Sequence, residues 1–152
     1  MLKLIASIII CQLAGIIGAI FTTPSISGWY TNLNKPFFNP PSWLFGPVWT
    51  LLYLLMGISL FFVWNQKKGV KTKTALIIFA IQLGLNALWS IIFFGLHSPL
   101  VAFLEIIVLW LFIILTIIKF FPISKISAYL LIPYLLWVSF AGFLNLFIVR
   151  LN

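Results

Sequence analysis

Acid is nearly absent from this chain. Its 152 residues include no aspartate and one glutamate, Glu105, against nine lysines and arginines, for a formal charge of +8. Histidine and cysteine occur once each, as His97 and Cys11. Each scarcity closes off a chemistry. Without a second carboxylate there is no acid–base pair, and without aspartate the lone histidine has no triad to join. One His, one Cys and one Glu far apart do not supply the three or four ligands of a zinc site, so no metal centre is expected. A single cysteine forms no intrachain disulfide and leaves the redox compartment unread. No glycine-rich phosphate loop occurs. Charged residues make up 7% of the chain, where a soluble domain carries roughly 25%. So little charge does not cover a water-facing surface, and the solvent for most of this chain is lipid.

What fills the chain instead is apolar: 64% of it, with 18% aromatic. Five runs reach the roughly 20 residues that cross a bilayer. They extend from about Leu4 to Phe21, from Trp43 or Pro47 to Trp64, from Thr74 to Leu96, from Pro99 to Phe121, and from Ser127 to Val149. In lipid the backbone must pair within each segment, so these are helices despite their β-branched residues. The expected fold is all-α: one five-helix transmembrane domain over residues 1–152. The first run is long for a signal peptide and lacks a small-residue cleavage site, so it reads as a span. "NQKKGVKTK", "HSP" and "FFPISK" are short breaks that make sequential helices antiparallel. Only the connection from about Thr22 to Ser42 is long.

The bases lie in these breaks rather than on one folded face, so nucleic acid is not an expected partner; membrane lipids are. Lys3, Lys67, Lys68, Lys71, Lys73, Lys119 and Lys125 fall on one side of a five-span topology, Lys35 and Arg150 on the other. The cationic side is expected to be cytoplasmic, with the N-terminus on it. The C-terminus and the long first connection are then external.

Several spans carry polar or small residues in register. In helix three, Ala80, Gly84 and Ala87 cluster within about 60°, a small-residue face suited to a second helix and to a homodimer. Gln82, Asn86, Trp89, Ser90 and Phe93 lie opposite and face a protected interior. The two amides either bond neighbouring helices or line a ligand site. Pro133, Trp137, Ala141 and Asn145 form a stripe on helix five, where Ala141 leaves room for something flat or serves helix packing, and Pro133 introduces a kink. Trp49, Tyr53 and Gly57 share a stripe on helix two; Trp43 and Trp64 suit interfacial anchoring. On helix one, Gln12, Gly15, Ala19 and Thr22 share a face suited to close packing. Glu105, two turns into helix four, is either a carboxyl bonding across helices or a functional group.

Residues 29–53 read "WYTNLNKPFFNPPSWLFGPVWTLLY". They meet every position of W-Y-x-x-L-x-K-P-x-x-x-P-P-x-W-x-x-x-P-V-W-x-x-L-Y, and so resemble the signature of the translocator protein and tryptophan-rich sensory protein family. "QLGLNALWSIIFFG" and "PYLLWVSFAGFLN" are similar to its third and fifth helices. The resemblance implies five helices around one ligand cavity, often in a homodimer. It implies protoporphyrin IX or a haem-type tetrapyrrole as ligand, with no cofactor required, and synthetic isoquinoline-carboxamide and benzodiazepine ligands. Carried over by position, the pocket uses Tyr30, Trp49, Tyr53, Asn86, Trp89, Ser90, Trp137 and Ala141. Transport, porphyrin sensing and light-dependent porphyrin breakdown are the activities proposed for the family. In the last, Trp49 and Trp137 are the candidate catalytic residues, because an indole exchanges electrons with a photoexcited porphyrin. A transporter or a membrane scaffold without turnover is the alternative. The animal sterol motif L-N-Y-x-x-x-R reads Leu144, Asn145, Leu146 and Arg150 here; its tyrosine is missing, which argues against sterol binding through that segment.

Prolines 36, 40, 41 and 47 stiffen the first connection, and its aromatic residues give it mass to rest on the helix ends. It is expected to cap a cavity opening toward the external side, with Lys35 meeting either a porphyrin propionate or a lipid headgroup.

Overall fold

The computed structural model describes residues 1–152. It is all-helical: α1 (Leu2–Ile26), a 3-10 turn (Tyr30–Asn32), α2 (Ser42–Trp64), α3 (Val70–Ser90) with a π-helical extension (Ile91–Gly95), α4 (Pro99–Phe120), α5 (Lys125–Leu130) and α6 (Ile132–Leu151). Five helical segments are long and apolar enough to cross a membrane, α5 and α6 together forming the fifth. They are exposed where they meet lipid, as Ile5, Ile9, Ile16 and Ile20 are on α1.

Three expected boundaries move. The third helix begins at Val70 rather than about Thr74, inside the stretch read as a break. The first helix runs on to Ile26, through Pro24, rather than ending at Phe21. A proline lacks the N–H for its own helical bond, yet the final turn is held from outside: Ser25 Oγ donates to the Phe94 carbonyl at 2.8 Å. The fifth span is two helices meeting at Leu131. There Leu131 N–H closes a tight turn on the Ala128 carbonyl, and Pro133, in the first turn of α6, has no N–H to bridge the break.

Around the bundle α1 packs on α2 and α3, α3 on α4, and α4 on α6. The ring closes through α5 against α2, while α2 and α6 meet through side chains, Phe45 with Trp137 and Trp49 with Tyr134. At the end of the bundle that holds Lys3, Ser59 and Ser127 make this closure tight. Each hydroxyl donates to the other's carbonyl at 2.8 Å, and both side chains are fully buried. In the same half Gly57 lets α1 approach α2; a Cβ there would stand 2.7 Å from Ile8 Cα. Toward the opposite end, where residues 27–41 join α1 to α2, small residues leave the bundle hollow. The apolar core divides accordingly into a large cluster around Met56, Phe79, Leu109 and Tyr134 and a smaller one around Tyr30, Phe93 and Leu144.

Candidate functional site

Between those two clusters lies a cavity of about 450 Å³. It is hollow because the inward positions around it are small: Gly15, Gly18 and Ala19 on α1, Gly46 on α2, Ser90 on α3 and Ala141 on α6. Gly15 also makes room for the floor. A Cβ on it would fall 2.7 Å from the Tyr53 ring.

The floor is a chain of buried hydrogen bonds. Tyr53 donates its hydroxyl to Asn86 Oδ1. Asn86 Nδ2 donates to the Tyr134 hydroxyl at 2.8 Å, and Tyr134 donates to Gln82 Oε1 at 2.8 Å. Three helices contribute, so the chain fixes their rotations as well as their separation. Tyr53 lines the cavity, whereas Asn86 and Gln82 lie beneath it, their amides committed to these partners.

The walls are aromatic. Trp49 stacks on Tyr53 with ring centroids 5.6 Å apart and meets Tyr134 edge-on at 6.4 Å. Trp89 stacks on Phe93 at 5.0 Å, and its indole N–H donates to Asn145 Oδ1 at 3.0 Å. Asn145 in turn donates to the Pro99 carbonyl at 2.9 Å, so one amide ties α3, α4 and α6 together. Trp137 packs against Phe45 and Phe140, and its indole nitrogen is sealed without a hydrogen-bond partner.

Tyr30 closes the top. It is buried, with its hydroxyl donated to Asn39 Oδ1 at 2.9 Å. Burial pushes its phenol above the ordinary value, and the Asn39 bond offsets part of that shift. Lys35 stays inside the connection. Its ammonium donates to the carbonyls of Tyr30, Leu33 and Thr31 at 2.8, 3.1 and 3.3 Å and lies 4.8 Å from the centre of the Tyr30 ring. The connection is also clasped to α6: Asn34 and Asn152 exchange hydrogen bonds, and Phe38 packs edge-on against Phe147.

The side facing the gap between α1 and α2 is open. Its lining residues Ile16, Ala19, Thr23, Ser42, Gly46 and Thr50 are exposed, while those from α3 and α6 are buried or half-buried. The Gln12 amide, donating to the Thr50 carbonyl at 3.2 Å, marks the lower edge of that mouth.

Seven of the eight residues expected at the site thus meet around one cavity: Tyr30, Trp49, Tyr53, Trp89, Ser90, Trp137 and Ala141. The eighth, Asn86, supports the floor. The face of α1 read as packing surface, Gln12, Gly15, Ala19 and Thr22, proves to be a fourth wall. A small-residue stripe looks the same in sequence whether a neighbour fills its groove or leaves it empty. Glu105 is apart from the cavity wall, and neither of its buried carboxyl oxygens has a hydrogen-bond partner, so of its two readings the bonding across helices is not made. On α3, Ala80 and Gly84 point outward, and the space where a Gly84 Cβ would stand is open.

The model of the TspO/MBR family matches residues 7–151 of the chain. A tryptophan-rich protein TspO of Archaeoglobus fulgidus is 48% identical over 99% of this chain and 97% of its own length. One of the same description from Chlorobaculum tepidum is 46% identical over 94% of this chain and 91% of its own. The human translocator protein is 36% identical over 82% of this chain and 75% of its own.

Proposed function

Because the chain belongs to the TspO/MBR family and is a multi-pass membrane protein, we propose that it is a receptor for porphyrins and other flat hydrophobic ligands. The observation that carries this reading is the cavity: about 450 Å³, walled by Trp49, Trp89 and Trp137 and opened by Ala141. A planar macrocycle wants aromatic faces and small-residue gaps, with polar atoms only at its rim. Tyr30 and the proline-stiffened connection form the cover of the site. The lysine-rich end faces the cytoplasm and the cover the opposite side.

Binding is tested by porphyrin quenching of tryptophan fluorescence in reconstituted protein. Ala141→Phe places a ring inside the cavity and is expected to abolish saturable quenching while the protein keeps its fold. Unchanged quenching by the folded variant refutes the site.

Light-dependent turnover is the activity proposed for the bound porphyrin. Trp49 and Trp137 are the proposed electron donors on the wall; the photoexcited ring takes an electron from an indole and passes it to dioxygen as superoxide, the oxidised indole takes an electron back from the porphyrin, and superoxide adds to the resulting porphyrin cation, so that the ring and one dioxygen combine and the indole is restored. Trp137→Phe is then expected to bind porphyrin but to bleach it more slowly in light; bleaching at the wild-type rate removes the assignment. The outward face of Ala80, Gly84 and Ala87 is proposed as a homodimer contact, tested by dimer content of Gly84→Leu in detergent.

A further inference from the structure

The cover and the α3–α4 turn meet on the chain's single histidine. His97 follows the π-helical turn with φ at 52°, the left-handed conformation that glycine adopts after a helix without steric cost. A side chain is disfavoured there, and this one is held by what it touches. The imidazole lies flat on Trp29, with ring centroids 4.4 Å apart and planes 8° from parallel. Its Nε2 is 3.3 Å from Ser25 Oγ. Serine has one proton to give, and Ser25 donates it to the Phe94 carbonyl at 2.8 Å. Toward the ring Ser25 therefore accepts, so Nε2 carries a hydrogen and Nδ1 is the nitrogen left to take a second proton. Trp29 immediately precedes the 3-10 turn that carries Tyr30, and packs edge-on against Phe93 and Phe94. The contact thus joins the cover to the end of α3.

A second proton makes the ring a cation in a place that favours one. It lies over an indole face, which attracts positive charge. It also stands beyond two helix C-termini, α1 ending at Ile26 and the π-helical extension of α3 ending at Gly95, neither with a basic residue in its last turn; the negative end of a helix favours a cation. The N-terminus of α4, two residues on, opposes them. The Nε2–H bond to Ser25 survives in both states. The other titratable groups of the surrounding elements are engaged or distant. Lys35 is held by three carbonyls and Tyr30 by Asn39. Glu105 lies further along α4, Arg150 is exposed at the end of α6, and Lys3, Lys71 and Lys73 are at the opposite ends of α1 and α3. We infer that His97 is a proton-operated latch on the cover: the protonated ring clamps residues 27–41 to the α3–α4 turn, and the clamp relaxes as pH rises and the proton leaves. The closed cover favours the charged ring, so by linkage acid favours closure. The latch concerns the cover with no ligand bound and stands apart from the porphyrin reading.

Amide hydrogen exchange tests it, in nanodiscs of neutral lipid at pH 5.5 and 7.5, a range in which imidazole ordinarily changes charge. Each rate is divided by the intrinsic rate of an unstructured chain at the same pH. The readout is the cover, residues 27–41, where the Asn32 and Leu33 N–H groups are bonded to the Trp29 and Tyr30 carbonyls; α4 is the internal reference. Protection of the cover is expected to be about three- to tenfold greater at pH 5.5, with α4 unchanged. His97→Asn accepts the same backbone conformation and does not titrate, and should give equal protection at both pH values. Equal protection in the wild type, or greater protection at pH 7.5, overturns the inference, as does a pH dependence that persists in His97→Asn. If that variant does not fold, Trp29→Leu keeps the histidine and removes the face it stacks on. Its pH dependence should fall to less than about half that of the wild type, and an undiminished dependence overturns the latch.

Discussion

Asn86→Leu distinguishes a floor residue from a wall residue. Leucine is close to asparagine in size and forms neither of its two bonds. The Tyr134 hydroxyl loses a donor but keeps its own donation to Gln82 at 2.8 Å. The hydroxyl of Tyr53, a residue only 6% exposed, loses its acceptor. An orphaned buried donor costs about 1–3 kcal/mol, whereas interhelical hydrogen bonds in membrane proteins average about 0.6 kcal/mol. A loss of about 2 kcal/mol is therefore expected, mostly from the orphan rather than from the bonds themselves. Adding Tyr53→Phe removes the orphan, so the double variant should recover about 1 kcal/mol although it has fewer polar contacts. Thermal unfolding or detergent titration of all four members of the cycle measures this. Porphyrin affinity of Asn86→Leu should change by less than about threefold, because the amide does not reach the cavity. A double variant no more stable than Asn86→Leu refutes the energetic reasoning. A loss of binding near 100-fold at unchanged stability would place Asn86 on the ligand instead.

Three further outcomes follow from the packing. Gly57→Ala brings a Cβ to 2.7 Å from the Ile8 backbone and should destabilise the fold by about 1–3 kcal/mol; Gly84→Ala, with open space around it, should stabilise the monomer by up to about 1 kcal/mol, and paired unfolding curves check both signs. Replacing Glu105, whose sealed oxygens have no partner, by leucine should raise stability by about 1–2 kcal/mol; a lower unfolding midpoint contradicts this. Because burial raises the Tyr30 phenol, its neutral form is favoured in the fold. That contribution is complete below the ordinary value of about 10 and is lost as pH rises through the higher folded-state value. Amide exchange in residues 27–41 should quicken on that alkaline limb, and Tyr30→Phe should remove the tyrosine's part of the change.

The sequence by itself determined the membrane class, the five spans and the polar breaks between them. Those features follow from length and hydropathy, and each is a property of a contiguous stretch. It also determined which way helix three faces: Gln82 and Asn86 are buried and Ala80 and Gly84 are exposed, because the cost of an amide in lipid orients a helix without knowledge of its neighbours. Only the tertiary structure decided what lies one layer further in. Asn86 is floor rather than wall because Tyr53 and Tyr134, far away in sequence, reach it first. Lys35 is absorbed by its own connection because two carbonyls of the 3-10 turn and that of Leu33 face it. Helix one is a cavity wall because its small residues Gly15, Gly18 and Ala19 leave the space beside Trp49 and Trp89 unfilled. Whether a groove is filled or hollow depends on the spacing of several helices at once, and no periodicity within a single helix encodes that distance.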